Sequence, residues 1–271
     1  YLLVAIIYGC IFAACHFFCF AKTKERVTIP EKEKISIKVQ LKAVLQNKPY
    51  LLALVGQVLF GFTLYGRNAD ILYYFTYVEG NASYYTTYSM CIIIPSIIGA
   101  ACFQPVFRKL NNKGRTASIF ALLTGFAMFA MYFFNVKESP AAFYALAGIT
   151  QFFFSGFNTA IYAIIPDCVE YGEWKTGKRS EGMIFSLNIF KSKISNAIGG
   201  SLCGYILAYI GYKANSTQST FTLNGIHIIQ TLVPCIIIIT SFLLLRKYNL
   251  SESEYDAIVD DLKHGITRLS N

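Results

Sequence analysis

PDCVEYGEWKTGKRSEGMIFSLNIFKSKISNAIGG, residues 166–200, decides how this chain is read. Asp167, Glu170, Glu173, Lys175, Lys178, Arg179 and Glu181 crowd into a short segment between two apolar blocks. Lys191 and Lys193 then stand well inside the second block. Charge is costly in hydrocarbon, so a lysine within a spanning segment marks a functional position. A segment of mixed sign suits salt bridges that hold helix ends together and change partners when helices move. A merely solvated loop is the plainer reading.

The two blocks belong to a strongly apolar chain. Of its 271 residues 55% are hydrophobic and only 14% charged, where soluble proteins carry about 25% charged residues. Spanning a bilayer takes about 20 apolar residues as a helix. Seven runs meet that rule: 1–21, 50–78, 84–107, 116–135, 141–166, 182–210 and 224–245. Runs of this length without alternation favour helices, despite many aromatic and β-branched residues. The expected fold is an all-α integral membrane protein with seven transmembrane helices, the fifth closing at Pro166. The chain opens on Tyr1 directly in an apolar run, with no signal-peptide pattern,. The expectation is that the start of the protein is missing.

Lys and Arg set the orientation. Residues 22–48, the loop 108–115, the loop after 166 and the tail from Arg246 are basic, while the intervening loops hold only Lys137 and Lys213. Basic loops belong in the cytoplasm, which places the C-terminus there. Within 22–48, Ile37, Leu41, Val44 and Leu45 share a helical face, as in an amphipathic helix lying on the cytoplasmic membrane surface; a partner-binding helix is the alternative. Asn47-Lys48-Pro49 is a start signal for the next helix. The tail, 247–271, is polar and expected to be solvated, with helical spacing at Tyr255, Ile258 and Leu262.

Several residues can carry chemistry. Arg67 and Asp70 are three apart, share a helix face and can pair; a polar cavity and a structural ion pair near the interface are both open. RKLNNKGR, 108–115, can orient helices by pairing with acidic residues nearby, or simply follow the charge rule. In the sixth span Asn188, Lys191, Ser192, Ser195 and Gly199 form one stripe at 100° per residue, with Lys193 off it. Gly200-x-x-x-Gly204 offers close helix packing. The eight cysteines read as free thiols acting as small apolar residues,. His16 and His227 read as packing positions. The nucleophile-elbow, zinc-peptidase and P-loop patterns are missing, which points away from an enzyme.

YGEWKTGKRSEG, then a lysine and SNAIGG, resembles the hallmark of the glycoside–pentoside–hexuronide:cation symporters, melibiose-permease-like sugar transporters of the major facilitator superfamily. The NKP helix entry, LYYFTYVEG and YNLSESEYDAI agree with it, so the resemblance covers essentially the whole chain. It implies twelve spans in two six-helix halves. Residues 1–21 would be the last helix of the N-terminal half, 22–48 the cytoplasmic central loop, 49–246 the six-helix C-terminal half and 247–271 the tail.

The implied function is cation-coupled symport, with Na+ or H+, of a sugar, glycoside or glucuronide by alternating access. The family pattern selects Lys193 as the functional lysine, with Asn188, Asn158 and Arg67 beside it in the sugar site. Asn158, next to Phe157, takes the place of the aromatic that stacks on sugar in the best-known member. Asp167, Glu170, Glu173, Lys175, Arg179 and Glu181 match the family's cytoplasmic gate. The family's cation site is built from aspartates of the N-terminal half, so no metal ligand or cofactor is expected within this chain. Its partners would be sugar, cation and lipid rather than nucleic acid, in a bacterial inner membrane. A seven-span receptor and a lysolipid transporter of the same superfamily are the rival readings.

Overall fold

The computed structural model describes residues 2–24 and 36–268. The basic positions Arg26, Lys32 and Lys34 of the central loop lie outside the described residues. Two units are distinguished, residues 1–36 and 37–271. The first contains helix α1, Leu2–Lys22, which is apolar all round and buries none of its residues.

The second unit is a helical bundle. Helix α2, Ile37–Gln46, tucks Ala43 and Val44 against it, while Ile37, Leu41 and Leu45 remain exposed. Asn47 then caps α3, Lys48–Tyr73: its Oδ1 accepts from the Tyr50 N–H at 3.0 Å. Its Nδ2 also donates to the Cys168 carbonyl on α6, so one side chain starts one helix and fastens it to another,. At its far end α3 widens into a π-helical turn, Tyr74–Val78. Helices α4, Tyr84–Leu110, and α5, Lys113–Met131, follow, with Asn111 taking the left-handed conformation between them.

Helix α6 runs from Pro140 to Thr176. This corrects the expectation that Pro166 closes the fifth span. Pro166 removes one backbone donor, leaving the Tyr162 carbonyl without its i+4 partner. Packing on both flanks carries the helix through this defect, as neighbouring helices do in membranes. Asp167, Glu170, Glu173 and Lys175 therefore project from a helix rather than from a loop.

Helix α7, Glu181–Tyr209, is also long enough to span,. Six helical segments in the described residues are both long and apolar enough to cross a membrane, and α7 is not among them. Its lysines, amides and serines hold it below that measure, but it lies alongside α3. The last apolar segment is broken, not continuous: α8, Thr220–Gln230, and α9, Leu232–Leu245, meet at Thr231, where Pro234 removes the donor to the Gln230 carbonyl,. The tail is not merely solvated. Helix α10, Glu252–Lys263, opens with a Ser251/Glu254 capping box and buries Ile258,.

Helix α6 packs between α4 and α5, α9 sits against α5 and α3, and α7 covers α3. Where α4 crosses α6, a side chain on Gly99 would strike the Phe152 carbonyl. Where α3 meets α7, a Cβ on Gly61 would lie 2.6 Å from the Ser195 Cβ. Gly200 and Gly204 have nothing within 4 Å, so close packing of α7 uses Ser195 and Gly199 instead of the expected pair. Within the second unit the basic segments 108–115 and 175–179 and the start of the tail meet at one end of the bundle. Glu252 there donates its backbone N–H to the Asn111 carbonyl, and Arg268 donates to that of Trp174. At the opposite end Glu79 accepts from the Val136 N–H, and Tyr212 bonds Tyr77 at 3.0 Å.

Candidate functional site

The contacts Gly61–Ser195 and Gly199–Gly66 fix α3 and α7 as parallel neighbours. By that register Arg67 stands about 14 Å along the bundle from Lys191, at 1.5 Å per residue. The residues nominated from sequence therefore fall into two groups.

The first group lies between α6 and α7. These helices barely touch, and Lys191 reaches across. It is buried, with Nζ 3.5 Å from the Tyr162 hydroxyl and 4.9 Å from the centre of that ring. A lysine over an aromatic face is a favourable electrostatic pair. Asn188 and Ser195 lie on the same stripe, and Asn158 lies one turn before Tyr162 on α6. The oxygens Asn188 Oδ1, Ser195 Oγ and Asn158 Oδ1 are buried with no hydrogen-bond partner. Unused acceptors of this kind are uncommon in finished interiors. Phe157 packs against Phe60 in the core, so Tyr162 is the aromatic surface available here, 41% exposed.

Lys193 does not join this group. It is exposed on α7, about 160° around the axis from Lys191. The polar stripe and the family motif thus pick two lysines with different surroundings.

The second group surrounds Arg67. Its guanidinium donates to the Tyr88 hydroxyl at 3.3 Å and borders a cavity of about 130 Å³ with Asn68, Ser89 and Gln151. Asp70, one turn on, is completely buried, and neither carboxylate oxygen has a hydrogen-bond partner. The ion pair that their spacing allows is not closed.

The six charged residues nominated for the gate are all engaged. Lys113 of α5 holds both Asp167 oxygens, at 2.8 and 2.7 Å, and lies 3.6 Å from Glu252. The Tyr255 hydroxyl donates to Glu170 at 2.6 Å, and Trp174 Nε1 donates to Asp261 at 2.9 Å; these two bonds fasten α10 along α6. Burial pushes the Tyr255 hydroxyl above the usual phenol range, and the hydrogen bond to Glu170 adds to this. Arg179 sits between Glu173 at 2.8 Å and Glu181 at 3.0 Å. The hydrogen bond to Glu173 raises its guanidinium further, against some burial. Lys175 donates to the Gln46 carbonyl at the end of α2.

Sequence reasoning did not nominate Lys113, Tyr162 or Tyr255 as site residues. A basic turn that pairs with acidic neighbours was the signal for Lys113. Tyr162 gave none, because an aromatic in an apolar run looks like every other.

The model of the MFS/sugar transport protein family matches residues 1–252. An uncharacterised symporter of Bacillus subtilis is 32% identical over 253 residues, covering 91% of this chain and 54% of that protein. A glucuronide carrier protein homolog of Escherichia coli is 28% identical over 91% of this chain and 54% of its own length. An isoprimeverose transporter of Lactiplantibacillus pentosus is 29% identical over 97% and 55%. The chain spans about half the length of these curated relatives, which are transporters rather than enzymes. It belongs to the sugar-transporting glycoside–pentoside–hexuronide family of the major facilitator superfamily.

Proposed function

We propose that the chain supplies one half of a cation-coupled symporter for a sugar, glycoside or glucuronide, working by alternating access with Na+ or H+. The observation that carries this reading is the α6–α7 seam. Lys191 meets an exposed tyrosine ring across helices that scarcely touch, and the same two helices carry three unpartnered buried oxygens. A polyhydroxylated ligand offers hydroxyl donors to Asn158, Asn188 and Ser195 and a C–H face to Tyr162. Lys191 can donate to its oxygens or carry a carboxylate. Lys193, on the open face of α7, would meet the part of the ligand turned toward the other half of the transporter, with Arg67 closing the far end.

The basic end lies in the cytoplasm of a bacterial inner membrane on this reading, in keeping with the distribution of Lys and Arg. Asp167, Glu170, Glu173, Lys175, Arg179 and Glu181 then act as a cytoplasmic gate. The bonds described above hold the helix ends in one state and exchange for bonds to the other half in the next.

The test is uptake of radiolabelled glycosides and glucuronides by the transporter carrying this chain, driven separately by Na+ and H+ gradients. Lys191→Met and Lys193→Ala should each depress uptake of the true substrate at least tenfold. Unchanged cation-driven uptake in both variants, or uptake of lysolipid in place of glycosides, overturns the reading.

A further inference from the structure

The sugar site does not explain the environment of Asp70. It sits on α3 with no exposed surface, and neither of its oxygens accepts a hydrogen bond. An ionised carboxylate in that position would have no hydrogen bond to replace its lost water, only the Arg67 charge one turn away,. Arg67 is one turn away and able to swing onto it, yet its guanidinium bonds the Tyr88 hydroxyl of α4 and leaves Nε unused. An ionised Asp70 would draw that guanidinium into a bridge, and no bridge is formed.

The neighbours reinforce this. Cys203 faces Asp70 from α7 and Tyr74 faces it from the turn that follows α3. The Tyr74 hydroxyl is already committed to Glu79 at 2.7 Å, and the His227 ring of α8 lies beyond the Tyr74 ring at 5.7 Å. From α6 the cavity beside Arg67 receives Gln151 and Phe154, neither of which titrates. Among the described residues no group of three or more His, Cys, Asp or Glu is placed to hold a metal ion. A single buried carboxyl that accepts no hydrogen bond is suited to a proton, whereas Na+ needs several oxygen ligands.

Two cavities border Arg67, of about 130 Å³ toward α4 and α6 and about 100 Å³ toward α7 and α9, and Asp70 lines neither. Cys203, beside Asp70, lines the second of them.

We propose that Asp70 is a proton-binding site within this half of the transporter, occupied in the conformation described. Its O–H bond breaks when helix movement admits water, the proton leaves on that water, and the carboxylate left behind pairs with Arg67. Proton binding stands on the geometry alone; a role for that proton in driving uptake rests on the symport reading.

Infrared spectroscopy of the protein in lipid nanodiscs tests it. The chain has five aspartates, and Asp167→Asn removes the only other one that is buried. In that background a protonated carboxylic-acid band should be present at neutral pH. It should move on aspartate-specific carbon-13 labelling and lose intensity in Asp70→Asn. No label-sensitive band at neutral pH overturns the proposal, and this readout needs no Asp70 variant to fold. A label-sensitive band that loses no intensity in Asp70→Asn, in a protein of unchanged helix content, overturns it too. If the band behaves as expected while Asp70→Asn leaves proton-driven uptake unchanged, the proton site stands and its coupling role falls.

Discussion

Lys113 Nζ lies 2.8 and 2.7 Å from the two oxygens of Asp167, joining the first turn of α5 to α6 just past Pro166. The side chains are 15% and 6% exposed. The pair is thus close to buried, and removing one partner strands the other's charge.

Lys113→Met should cost on the order of 3 kcal/mol. Lys113→Met with Asp167→Leu should recover most of that loss, because no charge is left buried. Thermal unfolding of the purified protein in detergent measures both. A single variant as stable as the parent would show that the pair contributes nothing.

The tail helix is fastened by two hydrogen bonds, Tyr255 to Glu170 and Trp174 to Asp261. Tyr255→Phe should weaken docking by about 1.5 kcal/mol, the usual worth of a hydrogen bond to a charged group. Amide exchange in α10 should quicken while exchange in the core of α6 stays slow. Equal rates in parent and variant would mean that Ile258 and the Trp174–Asp261 bond hold the helix without Tyr255.

The same bond sets a pH limit. The Tyr255 hydroxyl is raised in the folded protein, so the folded state favours its neutral form. The contribution is present below the unfolded phenol value of about 10 and is lost as pH climbs from there through the folded value. Exchange protection of α10 should hold through neutral pH and fall on the alkaline side. A loss of protection between pH 6 and 8 would contradict this assignment.

Close packing of α3 on α7 depends on Gly61, where a Cβ would sit 2.6 Å from that of Ser195. Gly61→Val should destabilise by about 1–3 kcal/mol through overpacking. Gly204→Ala, with open space around it, should leave the melting temperature unchanged. The reverse order would restore the Gly200-x-x-x-Gly204 motif as the packing seam.

Tyr162 offers its ring and its hydroxyl separately. If the ring stacks on sugar, Tyr162→Phe should retain uptake and Tyr162→Ala should raise KM about tenfold, equivalent to about 1.4 kcal/mol. Equal KM values for both variants would remove Tyr162 from the site.

Much of the architecture was legible in the chain because its causes are local. Apolar runs of spanning length mark the segments, and Asn47 with Pro49 marks the start of α3. Pro166 misled because its local cost is real: only the flanking α4 and α5 make a continuous α6 possible. Ile258 misled in the other direction, since helical spacing on a polar tail does not say what the helix will dock against.

The site was legible in kind and not in arrangement. Sequence alone determined that lysines stand inside an apolar helix, that Asn188, Lys191 and Ser195 share its polar stripe, and that the charged segment matches one transporter family. Those facts follow from spacing and residue type. Only the tertiary structure decided that Lys191 is buried against Tyr162 while Lys193 is exposed, and that Lys113 finds Asp167 across 54 residues. It also left Arg67 and Asp70 unbridged, although their spacing permits a bridge. Contacts between helices depend on axial register and on rotation about each axis, which packing of whole surfaces fixes and no local pattern encodes.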